Sequence, residues 1–127
     1  MKKILTACAL LLITPFATAG NDASIKGDLR DNIQAAMVKH IDHNQINGHY
    51  ALFDAVTGKV LKLKLAELHS GIVSKGDYFV SCADFVDSKG NKYDVDFMVA
   101  PSNHKQAVFQ AIVHKDKNGK RKYHLES

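Results

Sequence analysis

Residues 79–99 read FVSCADFVDSKGNKYDVDFMV, a pattern that predicts two strands joined by a turn. Asp87 opens a short polar turn and Gly90 stands where the chain needs a positive φ, which is the chemistry of a tight β-hairpin. A three-residue loop with a bulge predicts the cross-strand pairs Phe85 with Tyr93, Ala83 with Val95, Ser81 with Phe97, and Phe79 with Val99. Because side chains alternate along a strand, these residues share one face, which we expect to cover the core.

The opposite face of this hairpin carries a thiol and three carboxylates. The same register places Cys82 opposite Asp96 and Asp84 opposite Asp94. Like charges directly opposite each other destabilise a sheet by up to about 1 kcal/mol. We therefore expect solvent, a cation or neighbouring lysines to offset this cost, and a solvated face with Lys–Asp pairs is the favoured interpretation. The candidate lysines are Lys62 and Lys64.

Residues 28–44 carry the one convincing helical pattern. The apolar residues at helical spacing are Leu29, Ile33, Ala36, Met37 and Ile41. Asp28 is predicted to cap the first turn, where its carboxylate would accept a hydrogen bond from a backbone N–H. Asn44, Asn47 and Gly48 are expected to end the helix.

Two more turns, at residues 54–59 and 116–120, also combine an Asp with a Gly. Together the three turns predict strands at 49–54, 59–66, 77–87, 92–99, 107–116 and 120–125. Within the second strand, Leu61, Leu63 and Leu65 are expected to face the core. The segment 67–76 is too long for a tight turn and is predicted to be a connecting loop.

A helix followed by three hairpins predicts an α+β fold, with one N-terminal helix packed across an antiparallel sheet of about six strands. This order resembles the cystatin-like arrangement of many small exported bacterial domains, and the resemblance spans nearly all of residues 20–127. It rests on element order and turn placement, so it implies a fold and no particular activity.

The first 19 residues have the parts of a cleavable secretory signal. Two lysines follow Met1, an apolar run covers residues 4–16, and small residues stand at 17–19. This pattern predicts cleavage between Ala19 and Gly20 and a location in the periplasm or outside the cell.

Removal of residues 1–19 changes the composition. The chain of 127 residues less these 19 leaves 108, which suits a flexible leader over 20–27 and a single domain over 28–127. Fifteen basic residues then remain against 13 acidic ones, a formal charge of +2, which is too weak to predict a nucleic-acid partner. Cys82 becomes the single thiol, so no internal disulfide is expected.

Cys82 and His69 suggest a nucleophile and its base, because a thiol enzyme needs an imidazole within hydrogen-bond reach of the sulfur. The carboxylates around Cys82 disfavour its thiolate, so an unreactive buried thiol is the favoured interpretation. Asp84, Asp94 and Asp96 are residue types that serve acid–base hydrolysis or bind a cation, but the sequence predicts no cleft for a substrate.

Two other groups of residues are candidates for binding. His40 and His43 lie one helical turn apart, with His49 nearby, and imidazoles suit zinc or copper. His40 falls on the apolar stripe, so we expect it to be a hydrogen-bonded core histidine. The C-terminal hairpin is basic and could contact anionic lipid headgroups or an acidic partner, although a solvated edge is the favoured interpretation. Its basic residues are His114, Lys115, Lys117, Lys120, Arg121, Lys122 and His124.

These observations predict an exported, non-enzymatic binding or interaction module without a cofactor. A protein partner or a second copy of the chain is a reasonable ligand for an open sheet edge or face. The alternative is a metal-binding protein or a hydrolase-type enzyme that uses one cluster on the sheet face. The cluster consists of His69, Cys82, Asp84, Asp94 and Asp96.

Overall fold

The computed structural model describes residues 21–102, 106–123 and 125, so the predicted signal segment and cleavage site lie outside the described residues. These residues form one helix and a seven-stranded antiparallel sheet in which the strands follow one another in chain order. The elements are α1 (Gly27–His43), β1 (Gln45–Ile46), β2 (His49–Asp54), β3 (Lys59–Ser74), β4 (Phe79–Val86), β5 (Lys92–Ala100), β6 (Ala107–Asp116) and β7 (Gly119–Lys120). The predicted α+β class with an antiparallel sheet is confirmed.

The predicted register of the central hairpin, β4 with β5, is confirmed pair by pair. Its core face is buried, with Phe85 and Phe97 fully inaccessible to solvent beneath α1. The turn holds this register because both oxygens of Asp87 accept hydrogen bonds. Oδ1 accepts from the backbone N–H of Lys89 and of Asn91, and Oδ2 accepts from the Asn91 side chain, each at 2.9 Å.

The helix covers the core as its apolar spacing predicts. Its buried residues are Ile33, Ala36, Met37 and Ile41. The predicted cap at Asp28 is wrong, because Lys26 is the capping residue and makes no side-chain capping bond. Asp28 lies instead in the first turn, where a carboxylate interacts favourably with the helix dipole. Asn44 ends the helix as expected, and its backbone N–H donates to the His40 carbonyl at 3.1 Å.

The helix is not N-terminal as predicted, and the described residues form seven strands rather than six. The helix is preceded by residues 21–26, in which Ile25 is buried and the Asp22 N–H donates to the Ile72 carbonyl at 2.7 Å. The additional strand is β1, which pairs with β2 through the turn at Asn47 and Gly48. Both turn residues have positive φ, 52° and 79°, as a two-residue hairpin requires.

Strand β3 is twice as long as expected, because residues 67–74 of the predicted loop continue it. Its pairing with β4 shifts register between Leu65 and Glu67 and again between Leu68 and Ile72. Such bulges bend a strand and redirect side chains while the pairing continues on either side. Leu65 is correspondingly exposed, contrary to its predicted core position, whereas Leu63 is buried.

Arg121 joins the end of β2 to the end of β6. Its guanidinium donates two parallel hydrogen bonds to Asp54, at 2.7 and 2.8 Å, and a third to Asp116 at 2.9 Å. Because β2 and β6 are not neighbours in the sheet, this contact requires the sheet to curl. The expectation of a fully solvated basic hairpin is therefore wrong at Arg121, which lies largely buried between two carboxylates.

Candidate functional site

The face of the sheet opposite α1 gathers donor side chains from four consecutive strands. As the register predicts, β4 and β5 contribute the thiol and the three carboxylates. To these β3 adds His69 and β6 adds His114. The complete set is His69, Cys82, Asp84, Asp94, Asp96 and His114.

A bulge of β3 directs His69 towards the cluster. Leu68 pairs with Ala83 and Ile72 with Ser81, so residues 69–71 lie opposite the single residue Cys82. Side chains of α1 hydrogen-bond to the backbone of this bulge from the core side of the sheet. Gln34 donates a hydrogen bond to the His69 carbonyl and Arg30 donates one to the next carbonyl, each at 3.2 Å.

A second bulge, in β6, directs His114 towards the cluster. Val113 pairs with Val95 and Lys115 pairs with Asp94, which leaves His114 as the additional residue between two adjacent pairs. Val113 faces the core, so the following side chain points to the opposite face. There Nδ1 of His114 lies 3.4 Å from Oδ2 of Asp96 and 3.9 Å from Oδ2 of Asp94.

The donors form two groups of three that share Asp94. In the outer trio, His69, Cys82 and Asp94, one donor atom of each residue lies within 4.8 Å of the other two. The inner trio consists of Asp94, Asp96 and His114, and their donor atoms also lie within 4.8 Å of one another. Among the residues that the structure describes, no other group of three histidine, cysteine or acidic side chains has its donor atoms this close together.

The inner trio contains two buried residues, Asp96 and His114, whereas the outer trio contains one, Cys82. Asp96 is 0% exposed and the His114 side chain 4% exposed, whereas the His69 side chain is 34% exposed. The expectation of a solvated acidic face is therefore wrong at its centre. The two bulges bring imidazoles against the carboxylates, and the ion-pair contacts described there come from His69 and His114 rather than from the predicted Lys62 and Lys64.

Cys82 and His69 have partners that determine their chemistry. The Cys82 thiol, 6% exposed, donates to Oδ1 of Asp96 at 2.8 Å. Nε2 of His69 lies 2.9 Å from Oδ1 of Asp84. The imidazole is therefore oriented by a carboxylate, as in a catalytic triad, while the Cys82 thiol donates its proton to a second carboxylate, that of Asp96. A carboxylate beside the thiol disfavours the thiolate that nucleophilic attack requires.

The other predicted candidates lie elsewhere. Nε2 of His40 is 2.9 Å from the Tyr50 hydroxyl, so its assignment as a hydrogen-bonded histidine is confirmed. Burial lowers its pKa below the ordinary value, which favours the neutral ring. His43 is exposed, and neither it nor His49 belongs to the two trios. The sequence pattern assigned His114 to the basic hairpin, and this donor was therefore missed.

Comparisons with known protein families, with curated proteins and with solved structures gave no match. Within the described ranges, no helix has the length and apolar character needed to cross a membrane. The chemical character of the site therefore follows from its own donor atoms. An imidazole nitrogen, a thiol sulfur and a carboxylate oxygen together suit a divalent transition metal such as Zn²⁺.

Proposed function

We propose that this protein is a small exported binding module whose ligand is a divalent transition-metal ion held by the outer trio. The convergence of His69, Cys82 and Asp94 within 4.8 Å of one another carries the proposal. In a tetrahedral zinc site, bonds of about 2.0–2.3 Å bring donor atoms within roughly 3.3–3.8 Å of each other. Small side-chain movements are therefore enough to close the trio around an ion.

Asp84 supports this proposal as a positioning residue. It binds Nε2 of His69 and leaves the other ring nitrogen available as the metal ligand. A ligating imidazole commonly donates its second N–H to a carboxylate, which fixes the ring and increases its basicity. The bulge of β3, held by Gln34, fixes the backbone of the same residue.

The charges of the cluster also favour a cation. Three carboxylates and a thiol face two imidazoles, and a carboxylate pair lies directly cross-strand at Asp84 and Asp94. A dication offsets this negative charge at the place where like charges would otherwise destabilise the sheet. Binding requires the thiolate of Cys82, so the reaction releases the thiol proton to solvent.

Export and the cystatin-like arrangement are part of the same proposal and rest on the sequence patterns alone. Export would place the single thiol in an oxidising compartment, where a metal-bound thiolate is protected from unwanted disulfide exchange. A protein partner or a homodimer stays a prediction. The exposed cross-strand pair Phe53 and Val60 is a surface on which such a contact can be sought.

A titration of metal-free residues 20–127 with Co²⁺ tests the proposed function. We expect tight binding and a near-ultraviolet band from thiolate-to-cobalt charge transfer. Cys82→Ser should abolish the band and weaken Zn²⁺ binding by at least about 100-fold, because loss of a ligand should cost at least as much as loss of a residue that only positions one. His43→Gln, which changes an exposed helical imidazole, is the matched control and should change neither. A wild-type chain that binds neither metal overturns the proposal.

A further inference from the structure

We propose that the inner trio binds a second divalent cation, so that Asp94 bridges two ions and each chain carries two. This inference rests on the proposed function, because the outer and inner trios share Asp94. It assigns a role to His114, which the outer trio does not use.

Asp94 has the position that a bridging ligand needs. It lies on β5 between Cys82 and His69 on one side and His114 on the other. Its Oδ2 atom lies 3.9 Å from Nδ1 of His114. A carboxylate with one oxygen towards each site can join two metal ions about 3.5–4 Å apart, as in two-metal enzymes.

The inner trio has the composition of a separate site. Two carboxylates and one imidazole provide harder donors than the nitrogen, sulfur and oxygen of the outer trio. Carboxylate-rich sites accept Mn²⁺ as well as Zn²⁺, whereas a thiolate favours the softer Zn²⁺. The two positions should therefore differ in their preference for these metals.

The electrostatics of the inner trio also favour a dication. Asp96 is fully buried, accepts the Cys82 thiol proton at one oxygen and faces His114 with the other. Burial of a carboxylate is costly unless a charge or several hydrogen bonds compensate it. A dication between Asp94 and Asp96 compensates both carboxylates simultaneously.

The difference in exposure predicts different exchange rates. His69 and Asp84, at the rim, have side chains that are 34% and 46% exposed, whereas Asp96 and His114 are almost inaccessible. An ion in the outer trio should exchange quickly with a chelator. An ion in the inner trio is held by two buried residues, so it should leave slowly.

The experiment measures Zn²⁺ per chain after loading and gel filtration, then follows its removal by excess chelator. We expect two ions per chain that leave in a fast and a slow phase of equal amplitude. His69→Gln should remove the fast phase, His114→Gln should remove the slow phase, and His43→Gln should keep both. A single ion that is lost in both His69→Gln and His114→Gln would mean one shared centre and would overturn the inference.

Because His114 is buried, His114→Gln could fail to fold, and a second measurement therefore uses the wild-type chain. Two Cu²⁺ ions bridged by Asp94 should give a spin-coupled pair with a half-field signal in electron paramagnetic resonance. Loading that stops at one ion, with an uncoupled spectrum, overturns the second site and leaves the proposed function intact if the cobalt band persists. A chain that binds no metal overturns both.

Discussion

Arg121 and Asp54 form a bidentate ion pair across 67 residues of sequence, with nitrogen–oxygen distances of 2.7 and 2.8 Å. Asp54 is buried, so loss of the guanidinium leaves its charge without a counter-ion and with only the hydrogen bonds from Val56 and Thr57. We expect Arg121→Met to lower the free energy of unfolding by about 2–4 kcal/mol, measured by urea denaturation. Arg121→Lys should recover only part of this, because an ammonium cannot make both parallel bonds. An unchanged urea midpoint in Arg121→Met would contradict this role.

The same pair predicts a pH dependence of stability. The hydrogen bonds from Arg121 are the largest of the effects that lower the pKa of Asp54 from 3.8 to about 2. A carboxyl whose folded pKa is depressed stabilises the protein above its unfolded pKa and loses this contribution as the pH falls through the folded value. The expected contribution is about 2 kcal/mol at neutral pH.

Denaturation of the wild type and of Asp54→Asn at several pH values measures this contribution. The difference between their unfolding free energies should be constant above about pH 5 and should shrink as the pH falls to about 2. A difference that stays constant over this interval would show that Asp54 has an ordinary pKa in the folded protein.

Asp84→Asn should weaken metal binding without removing a ligand. The amide cannot replace the negative charge beside Nε2 of His69, so the orientation and basicity of the ring are lost. Loss of such a carboxylate typically costs about 10- to 100-fold in metal affinity. Isothermal titration with Zn²⁺ measures the change, and Asp42→Asn, on the exposed side of α1, is the matched control. Equal affinities in the two variants would argue that Asp84 does not position His69.

The thiol of Cys82 should react slowly in the folded apo-protein. It is buried and donates its proton to Asp96, and both features limit attack on a reagent. We expect labelling by a chromogenic disulfide reagent to be at least about tenfold slower than in urea, and slower still with Zn²⁺ bound. An exposed thiol introduced as His43→Cys in the Cys82→Ser background is the control for reagent access. Equal rates in the folded and unfolded wild type would contradict the burial of Cys82.

The Asn47-Gly48 turn predicts a backbone effect on stability. Gly48 has a φ of 79°, and a Cβ atom at this position would meet no other atom within 4 Å, so Gly48→Ala would add backbone strain without a clash. We expect a loss of about 1–2 kcal/mol in thermal or urea denaturation. Asn47→Gly should be nearly neutral, because glycine also adopts the φ of 52° found at that position.

The central hairpin could be predicted because its turn is stabilised locally. Asp87 accepts hydrogen bonds from backbone N–H groups two and four residues further along the chain, so the sequence of the turn alone fixes the register of β4 and β5. Asn47 and Gly48 carry an equally local hairpin signal, although the same residues also indicate a helix end. The hairpin and the helix end in fact occur together, and this accounts for the additional strand β1.

The full donor cluster could not be predicted, because it depends on two bulges. The alternation along β4 and β5 was sufficient to place Cys82 and Asp96 opposite each other. The positions of His69 and His114 depend instead on where β3 and β6 gain residues relative to their partners. Such an offset reflects the pairing of two distant segments, and a single strand's pattern of apolar and polar residues does not contain it.

The strand order also has a consequence for folding. Every strand pairs with its neighbour in the chain, so the sheet can grow by successive short-range steps that each close a small loop. The contact between Arg121 and Asp54 is different, because it can form only after the intervening strands have curled the sheet. We therefore expect Arg121→Met to accelerate unfolding while leaving the refolding rate almost unchanged, which is the kinetic signature of an interaction that forms after the rate-limiting step.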